Sequence, residues 1–404
     1  MPDDVEDLLR ELSPQVLGTL GRRYGDFDAA EDAVQEALLA AATHWPRDGV
    51  PERPRGWLLQ TAERRLVDQW RSEQSRRRRE QETAVRDGPA PDVPDQDDTL
   101  VVLFLCCHPA LTSASAIALT LRAVGGLTTA EIAKAFLVPE STMAQRISRA
   151  KRTVQDSGEP FALPSPAQRP TRLRQVLQVL YLIYNEGYTS SSGPALNRTD
   201  LADEAIRLAR LVHHQLPDDP EVTGLLALML LTDARRAART DAAGELVPLA
   251  AQERSRWNHP RIAEGVALLD SAIGSGSVGE YQLQAAIAAL HDRAPDAAAT
   301  DWPQILALYG LLERITSSPV VTLNRAVAMA MVDGPASGLA VLDDLGDRVT
   351  GHRVDVVRAH LLEMAGDRAG AATHFDAAAR RTSNLPEQHY LTQQAARLRS
   401  SPTD

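Results

Sequence analysis

Hydrophobic residues recur at helical spacing along most of the 404-residue chain, and this pattern predicts an all-α protein. In the first segment Asp28 and Glu31 form a capping pair that predicts a helix start. The Pro and Gly content of residues 44–54 predicts a loop, and a second helix is expected from Arg55 to about Arg79. The predicted buried faces consist of Ala33, Val34, Ala37, Leu38 and Ala41 in the first helix, and of Leu58, Ala62, Leu66 and either Gln69 or Trp70 in the second.

A helix-turn-helix pattern lies between Thr128 and Arg152. Thr128 and Glu131 form a capping box, and Pro139 interrupts the chain at a place where only the first turn of a new helix accepts it. The second helix has an apolar face of Met143, Ile147, Ala150 and Val154 and an outward face of Thr142, Gln145, Arg146, Arg149 and Arg152. A cationic outward face is typical of a helix that enters the DNA major groove. The alternative is a helical hairpin whose arginines are only solvated.

The charge balance restricts DNA binding to local surfaces. The chain has 43 Lys and Arg residues against 54 Asp and Glu residues, a net charge of -11, which argues against indiscriminate coating of nucleic acid. Within the helix-turn-helix, Gln145 and Arg146 are side chains that reach base edges. Arg149, Lys151 and Arg152 are expected to hold phosphates.

Two Pro-rich segments without an apolar period divide the chain into domains. Residues 1–80 and 99–156 are predicted to be small helical domains, the second containing the helix-turn-helix. They are joined by an acidic, flexible linker at 81–98. A second linker at 157–170 precedes a larger helical-hairpin domain at 171–404.

The larger domain shows an internal repeat. A shift of 33 residues pairs Arg325 with Arg358, Ala326 with Ala359, Met331 with Met364, Ala336 with Ala369, Leu342 with Phe375 and Leu345 with Ala378. A period of 33–34 residues with alternating small and bulky positions is typical of tetratricopeptide-like helical hairpins. The small residues let the paired helices approach, and the bulky residues fill the space between them.

Together these motifs resemble a bacterial sigma factor of the extracytoplasmic-function group of the sigma-70 family. "DAAEDAVQEALLAAATHWP" (28–46) is similar to the helix that docks on the clamp of core RNA polymerase. "PRGWLLQTAERRLVDQWRSEQSRR" (54–77) is similar to the segment that melts the promoter and reads its −10 element. Residues 118–154 resemble the module that reads the −35 element. The implied function is to direct core RNA polymerase to promoter DNA, and the implied position of the 81–98 linker is the RNA-exit path of the polymerase.

The resemblance implies three sets of binding residues. Those for polymerase are Asp32, Gln35 and Glu36; those for −10 DNA are Trp57, Glu63, Arg64, Arg65, Asp68 and Arg71; those for −35 DNA are Ser141, Thr142, Gln145, Arg146, Arg149, Lys151 and Arg152. Arg64 departs from the group, since many members have Asn there to help hold a flipped −10 base. Arg would instead stack on a base or grip a phosphate.

The rest of the chain resembles the subgroup whose sigma regions are fused to a C-terminal tetratricopeptide-like domain. "YLIYNEGYTSSSG" (181–193) and residues 300–335 carry this similarity. It implies that the C-terminal domain regulates activity, and it makes small proteins of the DGPF type candidate partners.

Other clusters give weaker functional signals. Adjacent Cys106 and Cys107 are expected to pack in a core rather than hold a metal, and the neighbouring His213 and His214 point about 100° apart on a helix. We therefore expect no metal and no cofactor. A tyrosine stripe near residue 184 is either a packed helix end that stops at Gly187 or a surface where the C-terminal domain contacts the sigma regions. That surface would consist of Tyr181, Tyr184, Asn185, Glu186 and Tyr188.

Three other functions are alternatives to the sigma factor. A stand-alone helix-turn-helix regulator with a helical sensor domain would bind duplex DNA without polymerase, but it leaves residues 28–79 unexplained. A C-terminal hydrolase lacks a catalytic constellation, so we expect a protein that is not an enzyme. A C-terminal scaffold for other proteins is compatible with the sigma factor. The start of the chain lacks the order of a signal peptide, and the apolar runs are too short for a bilayer, so the expected location is the cytoplasm without membrane contact.

Overall fold

The computed structural model of the chain describes residues 2–78, 97–274, 276, 278–349 and 351–400. Most of these residues are helical and very few are in strands, which confirms the predicted all-α class. They form two compact units, Met1–Leu182 (unit 1) and Ile183–Asp404 (unit 2), and the division falls within a helix that spans Arg169–Tyr188. Most of the predicted 81–98 linker lies outside the described residues. Within the described ranges, no helix combines the length and apolarity needed to cross a membrane.

Unit 1 contains two groups of helices. Its helices are α1 (Pro2–Tyr24), α2 (Phe27–Asp48), α3 (Pro54–Arg78), α4 (Thr99–Cys106), α5 (Ser113–Ala123), α6 (Thr129–Ala135), α7 (Glu140–Asp156) and the first part of α8 (Arg169–Tyr188). Helices α1, α2 and α3 contact one another, and α5 contacts α4, α6 and α7. The two groups also meet, since α1 contacts α4 and α5, and α2 contacts α7.

Helix α2 has the predicted buried face but different ends. All five apolar residues from Ala33 to Ala41 that were expected in the core are buried. The predicted start at Asp28 is wrong, because Asp26 is the N-cap and its carboxylate accepts a hydrogen bond from the Ala29 N–H at 3.0 Å. The predicted loop at 44–54 is shorter than expected, because only residues 49–53 lie between α2 and α3. Pro46 lies in the last turn, where it removes a single backbone hydrogen bond, so the helix continues to Asp48.

Helix α3 likewise follows its sequence pattern. Leu58, Ala62 and Leu66 are buried, and the last apolar position is filled by two half-buried residues, Gln69 and Trp70. The Trp70 ring packs edge to face on Tyr24 of α1, with 5.3 Å between ring centroids. These contacts hold α3 against α1 and leave its arginine-bearing side outside.

The helix-turn-helix forms as predicted. The Thr128 N–H donates to the Glu131 carboxylate at 2.7 Å, and the Glu131 N–H donates to the Thr128 hydroxyl at 3.2 Å, which closes the capping box. Pro139 is the N-cap residue of α7, one position before the first turn in which it was expected. The predicted face of Met143, Ile147, Ala150 and Val154 is buried.

Two glycines on α1 allow close packing of the chain segments that precede and follow the helix-turn-helix group. A Cβ on Gly18 would overlap Asp98, and a Cβ on Gly21 would overlap the ring of Phe161. Arg22 of α1 also forms an ion pair with Asp98. Because these glycines lie three residues apart on one helix face, α1 anchors the entry to α4 and the segment after α7.

Unit 2 consists of helical hairpins. Its helices after α8 are α9 (Thr199–Gln215), α10 (Pro220–Asp233), α11 (His259–Ile273), α12 (Glu280–Arg293), α13 (Trp302–Thr316), α14 (Pro319–Asp333), α15 (Pro335–Leu345), α16 (His352–Met364), α17 (Arg368–Arg381) and α18 (Leu385–Ser400). Helix α10 contacts α9, α11 and α12, and from α12 onward each helix contacts the next.

The 33-residue repeat corresponds to two successive hairpins, α14–α15 and α16–α17. Ala326 and Ala359 occupy equivalent positions and are both fully buried. Leu342 and Phe375, also equivalent, are each the bulky residue of a separate buried cluster. The predicted core roles are therefore confirmed for these two pairs, whereas the equivalent Met331 and Met364 are exposed.

A short sheet connects two distant segments of unit 2. β1 (Ser192–Gly193) lies between α8 and α9 and pairs in parallel with β2 (Ser383–Asn384), which lies between α17 and α18. The Asn384 amide is buried and donates to the backbone carbonyls of Ser190 at 3.0 Å and Ala195 at 3.1 Å. This pairing joins residues 194 positions apart in sequence.

Gly187 does not end its helix as expected. Helix α8 continues to Tyr188, and a Cβ on Gly187 would overlap the backbone of Ala202 in α9. We therefore expect Gly187→Ala to destabilise unit 2 by about 1–3 kcal/mol, because a packed backbone contact must move. The matched control is Gly310→Ala in α13, where the nearest atom lies 4.0 Å away. It should be neutral or stabilising, because Ala favours the helix by up to about 1 kcal/mol.

Thermal unfolding of the two full-length variants measures this difference. The close-approach interpretation is wrong if Gly187→Ala melts at the same temperature as Gly310→Ala.

Candidate functional site

The outward face of α7 is open to solvent. Six of the seven residues expected at −35 DNA lie there: Ser141, Thr142, Gln145, Arg149 and Arg152 are exposed and Arg146 is half-buried. The helix is held by its buried face, so these side chains share one side of a fixed element. Such a surface fits the major groove, where a helix presents a few side chains to base edges and phosphates.

Lys151 is the exception among these seven residues. It is only 5% exposed and faces α2 instead of solvent. Its ammonium lies 2.6 Å from the nearest carboxylate oxygen of Asp28, 2.9 Å from that of Glu31 and 2.6 Å from that of Asp32. Burial by itself lowers the pKa of Lys151, but the attraction of Glu31 and the hydrogen bonds to Asp28 and Asp32 outweigh it and raise the pKa. Lys151 is therefore charged and paired with carboxylates. In this arrangement its ammonium is not available for a DNA phosphate.

Glu31 connects the same two helix groups through a second cation. Its side chain is 1% exposed, and the Arg122 Nε of α5 lies 3.0 Å from one carboxylate oxygen while Lys151 lies at the other. The backbone carbonyl of Arg122 accepts a hydrogen bond from the Gln35 amide at 3.2 Å. We call Asp28, Glu31, Asp32, Arg122 and Lys151 the α2–α7 charge cluster.

The residues expected at core polymerase border this cluster. Asp32 and Gln35 contact the helix-turn-helix group through Lys151 and Arg122. Glu36 lies 3.4 Å from Arg65 of α3 in an exposed pair. All three line an open cleft of about 590 Å³, on whose border Leu39 is 69% exposed. An exposed leucine beside carboxylates and an amide provides both apolar and polar contacts for a protein partner.

The residues expected at −10 DNA fall into two sets on α3. Arg64, Arg65, Asp68 and Arg71 are exposed. Trp57 and Glu63 are partly buried by contacts within their own helix group. The Trp57 ring packs edge to face on Trp45 with 5.6 Å between centroids, and Glu63 forms an ion pair with Arg23 of α1. In this arrangement Trp57 and Glu63 hold the helix group together, and the four exposed residues form its open polar surface.

The sequence interpretation did not include Glu31, Asp28 or Arg122 among the site residues. Glu31 lies at the helical spacing of the buried residues Val34 and Leu38, and a carboxylate in an apolar stripe indicates a buried ionic partner. Lys151 gave the same signal, because it lies four residues after Ile147 and three before Val154, on the buried face of α7. The partner of each charge is on the other helix group, however, and neither pattern identifies it.

Cys106 and Cys107 are buried in the helix-turn-helix group, as expected for core residues. The neighbouring His108 contacts Glu159 at 2.7 Å, and Glu159 accepts from Arg172 of α8 at 3.1 Å. Arg172 also donates to the backbone carbonyl of Phe104 at 2.8 Å. These contacts fasten the start of α8 to α4.

Two tyrosines of the stripe, Tyr184 and Tyr188, pack within unit 2. Tyr184 is 1% exposed and stacks on Tyr188, with 5.7 Å between centroids. The Arg239 guanidinium covers the other ring, 3.6 Å from the centroid of Tyr188. Glu186 accepts from the Ser191 N–H at 3.0 Å. The rings therefore match the packed helix end more closely than an open contact surface.

Comparison with known families identifies two sigma-70 regions in the chain. Residues 8–76 match sigma-70 region 2, and residues 102–154 match sigma-70 region 4. Residues 172–273 match a family of unknown function, DUF6596. An uncharacterised protein of Rhizobium meliloti (strain 1021) is 42% identical over 405 aligned residues, which cover 96% of this chain and 94% of that protein. The chain belongs to the extracytoplasmic-function sigma factors of the sigma-70 family.

The sigma factor has region 2 on α1–α3 and region 4 on α4–α7, followed by a C-terminal extension. Proteins of this family are transcription initiation factors whose partners are core RNA polymerase and promoter DNA. No solved structure matches the chain significantly.

We expect both cysteines of the sigma factor to resist thiol reagents. Burial raises the pKa of Cys106 well above its usual range and that of Cys107 to about 12. At pH 8 the reactive thiolate is therefore scarce, and the reagent also lacks access. A colorimetric disulfide reagent should detect no fast thiol in native protein and two after denaturation. A Gln155→Cys control, at an exposed position of α7, should react at once; equally fast reaction of the native cysteines would contradict their burial.

Proposed function

We propose that α7 reads the −35 element with the exposed face that includes Gln145, Arg146 and Arg149. The observation that carries this proposal is the one-sided arrangement of α7, whose apolar side is buried while its polar and cationic side is open. Gln145 and Arg146 match the hydrogen-bonding edges of bases, and Arg149 and Arg152 match phosphates. Ser141 and Thr142 lie at the N-terminal end of the helix, where hydroxyls and backbone N–H groups contact phosphate.

The exposed arginines of α3 are proposed to contact the −10 element. Arg64 and Arg71 provide positive charge for the backbone of opened DNA, and a guanidinium also stacks on an unpaired base. Arg65 lies 3.4 Å from Glu36, which belongs to the proposed polymerase-binding set. The proposed DNA-binding and polymerase-binding surfaces are therefore adjacent at this ion pair. Asp32, Gln35 and Glu36 are proposed to dock on core polymerase beside the exposed Leu39.

The C-terminal extension is proposed to regulate initiation by binding a protein, not by catalysis. Successive helical hairpins present repeated surfaces that suit a partner. Met331 and Met364, equivalent positions of two hairpins, are 43% and 48% exposed, and methionine adapts to varied apolar partners. A small DGPF-type protein is a candidate partner through the resemblance described above.

The −35 proposal predicts a defined effect of Arg149→Ala. Loss of one phosphate contact should weaken holoenzyme binding to all promoters and reduce the slope of log affinity against log salt by about 1. Gln145→Ala should instead relax base preference at one position, with a cost of about 1–3 kcal/mol. Ser148→Ala is the matched control, because Ser148 is exposed on α7 but outside the proposed set.

The measurement is competition binding and run-off transcription on a promoter library with core polymerase. Equal salt slopes and equal base preferences for all three variants would overturn the assignment. Tight duplex binding without polymerase, together with no initiation in its presence, would favour a stand-alone regulator.

Regulation by the extension is tested by comparing the full chain with chains ending at Leu182 and at Gly158. The chain ending at Leu182 keeps Arg172 and its contacts with Phe104 and Glu159. Comparison of the two shortened chains therefore distinguishes the effect of losing unit 2 from the effect of losing the Arg172 contacts. Run-off transcription that rises on shortening identifies the extension as an inhibitor, and transcription that falls identifies it as an activator. Equal transcription from the full chain and the chain ending at Leu182 would contradict a regulatory role.

A further inference from the structure

The first hairpins of unit 2 leave an open pocket of about 540 Å³ between α9, α10 and α11. We call it the α9–α11 pocket. Small-molecule sites in proteins typically occupy about 300–1,000 Å³ and combine an apolar lining with a few placed polar groups. The apolar lining here consists of Pro217, Leu226 and Leu268. The pocket is therefore large enough for a small metabolite, and its polar groups indicate the class.

Helical spacing brings the other lining residues to the pocket. Arg210 and His213 lie three residues apart on α9, and Glu264 and Leu268 lie four residues apart on α11. Residues at these spacings share one helix face, so each helix presents a pair of side chains to the same space. A Cβ on Gly265 would overlap a side chain of α10, so this glycine lets α11 pack closely on α10.

A charged pair connects the two sides of the pocket. The Arg210 Nη1 donates to the Glu264 Oε1 at 2.5 Å, and the Arg210 Nη2 donates to the Glu264 Oε2 at 2.8 Å. These hydrogen bonds lower the pKa of Glu264, so its carboxylate is ionised at neutral pH. The two side chains are still 46% and 40% exposed. The pocket thus presents a cation and an anion side by side, and a ligand can reach both from solvent.

His213 adds a neutral acceptor to this pair. The Thr223 hydroxyl donates to the Asp219 carbonyl at 3.1 Å, so its oxygen accepts from the His213 Nδ1 at 3.3 Å. The other ring nitrogen, Nε2, is then an acceptor in the neutral imidazole. Burial lowers the pKa of His213, and the positive charge of Arg210 lowers it further, so the ring is neutral at pH 7.

These groups are complementary to a small zwitterion with an apolar side chain. A guanidinium binds a carboxylate, and a carboxylate together with an imidazole acceptor binds an ammonium. An α-amino acid carries both of its charges on one carbon atom, a spacing that suits the two adjacent members of the Arg210–Glu264 pair. Leu226 is buried and Leu268 is half-buried, so the neighbouring lining offers apolar contact to the side chain of the amino acid.

We propose that the α9–α11 pocket binds a free α-amino acid with an apolar side chain. Arg210 binds its carboxylate, Glu264 and His213 bind its ammonium, and the leucines of the lining contact its side chain. The proposal goes beyond protein binding by the C-terminal extension, because it makes unit 2 a receptor for a small molecule. A ligand held by both α9 and α11 stabilises unit 2 against unfolding.

Calorimetric titration of the full-length protein with L-leucine and L-phenylalanine tests the proposal, and saturable binding at one site is expected for at least one of them. Each of three leucine analogues lacks one feature of the ligand. Leucine amide lacks the carboxylate, N-acetyl-leucine lacks the ammonium, and glycine lacks the apolar side chain. Each should bind at least about tenfold more weakly than leucine, because a charged hydrogen bond or a buried apolar side chain is lost.

Substitutions in the pocket locate the site. Glu264→Gln and Arg210→Gln should each weaken binding by at least about tenfold, because one charge of the ligand loses its partner. Asp270→Asn is the matched control, since Asp270 lies on the same helix in an exposed pair, 3.6 Å from Arg293, and does not line the pocket. It should bind leucine like the wild type. If either pocket variant fails to fold by circular dichroism, the analogue series on the wild type decides.

Three results would overturn the proposal. The first is no saturable binding of either amino acid at millimolar concentrations. The second is equal affinity for leucine, leucine amide and N-acetyl-leucine, because the site would then recognise an apolar group without the zwitterion. The third is equal affinity of Glu264→Gln and Asp270→Asn, because the ligand would then bind elsewhere. These titrations contain neither polymerase nor DNA, so their failure is distinct from a failure of the proposed promoter recognition.

Discussion

Glu31 is a carboxylate enclosed within a helical core, and the arrangement of unit 1 depends on its two cations. Lys151 comes from α7 and Arg122 from α5, so one buried charge connects two elements of the helix-turn-helix group to α2. Apolar contacts alone are tolerant of small rotations between packed groups. A buried ion pair is not, because both charges must keep their partners to avoid the cost of desolvation. The cluster therefore selects one relative placement of the two groups.

The other contacts between the two groups are consistent with this placement. Asp98 packs against Gly18 and forms an ion pair with Arg22, and the ring of Phe161 packs against Gly21. The two segments that flank the helix-turn-helix group thus both lie on α1. They supply contact area, whereas the charge cluster supplies specificity.

The local parts of the fold were predictable because their causes are local. The capping box at Thr128 and the buried faces of α2, α3 and α7 follow from spacing alone, and the equivalence of Ala326 and Ala359 follows from a repeat. The errors arose where a neighbouring residue changed the outcome. Asp26, not Asp28, caps α2, and Pro46 is accommodated in the last turn of that helix. Gly187 allows α8 to approach Ala202 of α9 closely and does not end its helix. The side chain of Lys151 faces α2 because its partners lie in another helix group. The apolar pattern of one helix does not identify a partner on a different one.

The β1–β2 pairing gives unit 2 a property that an open stack of hairpins lacks. In an open stack each hairpin depends only on its neighbours, so the stack gains stability one repeat at a time. Asn384 instead satisfies the carbonyls of Ser190 and Ala195 near the beginning of the unit. During synthesis those carbonyls leave the ribosome long before their amide does. Regions 2 and 4 are therefore complete before the amide that closes unit 2 has been synthesised, so the closure of unit 2 is a late step in the folding of the chain.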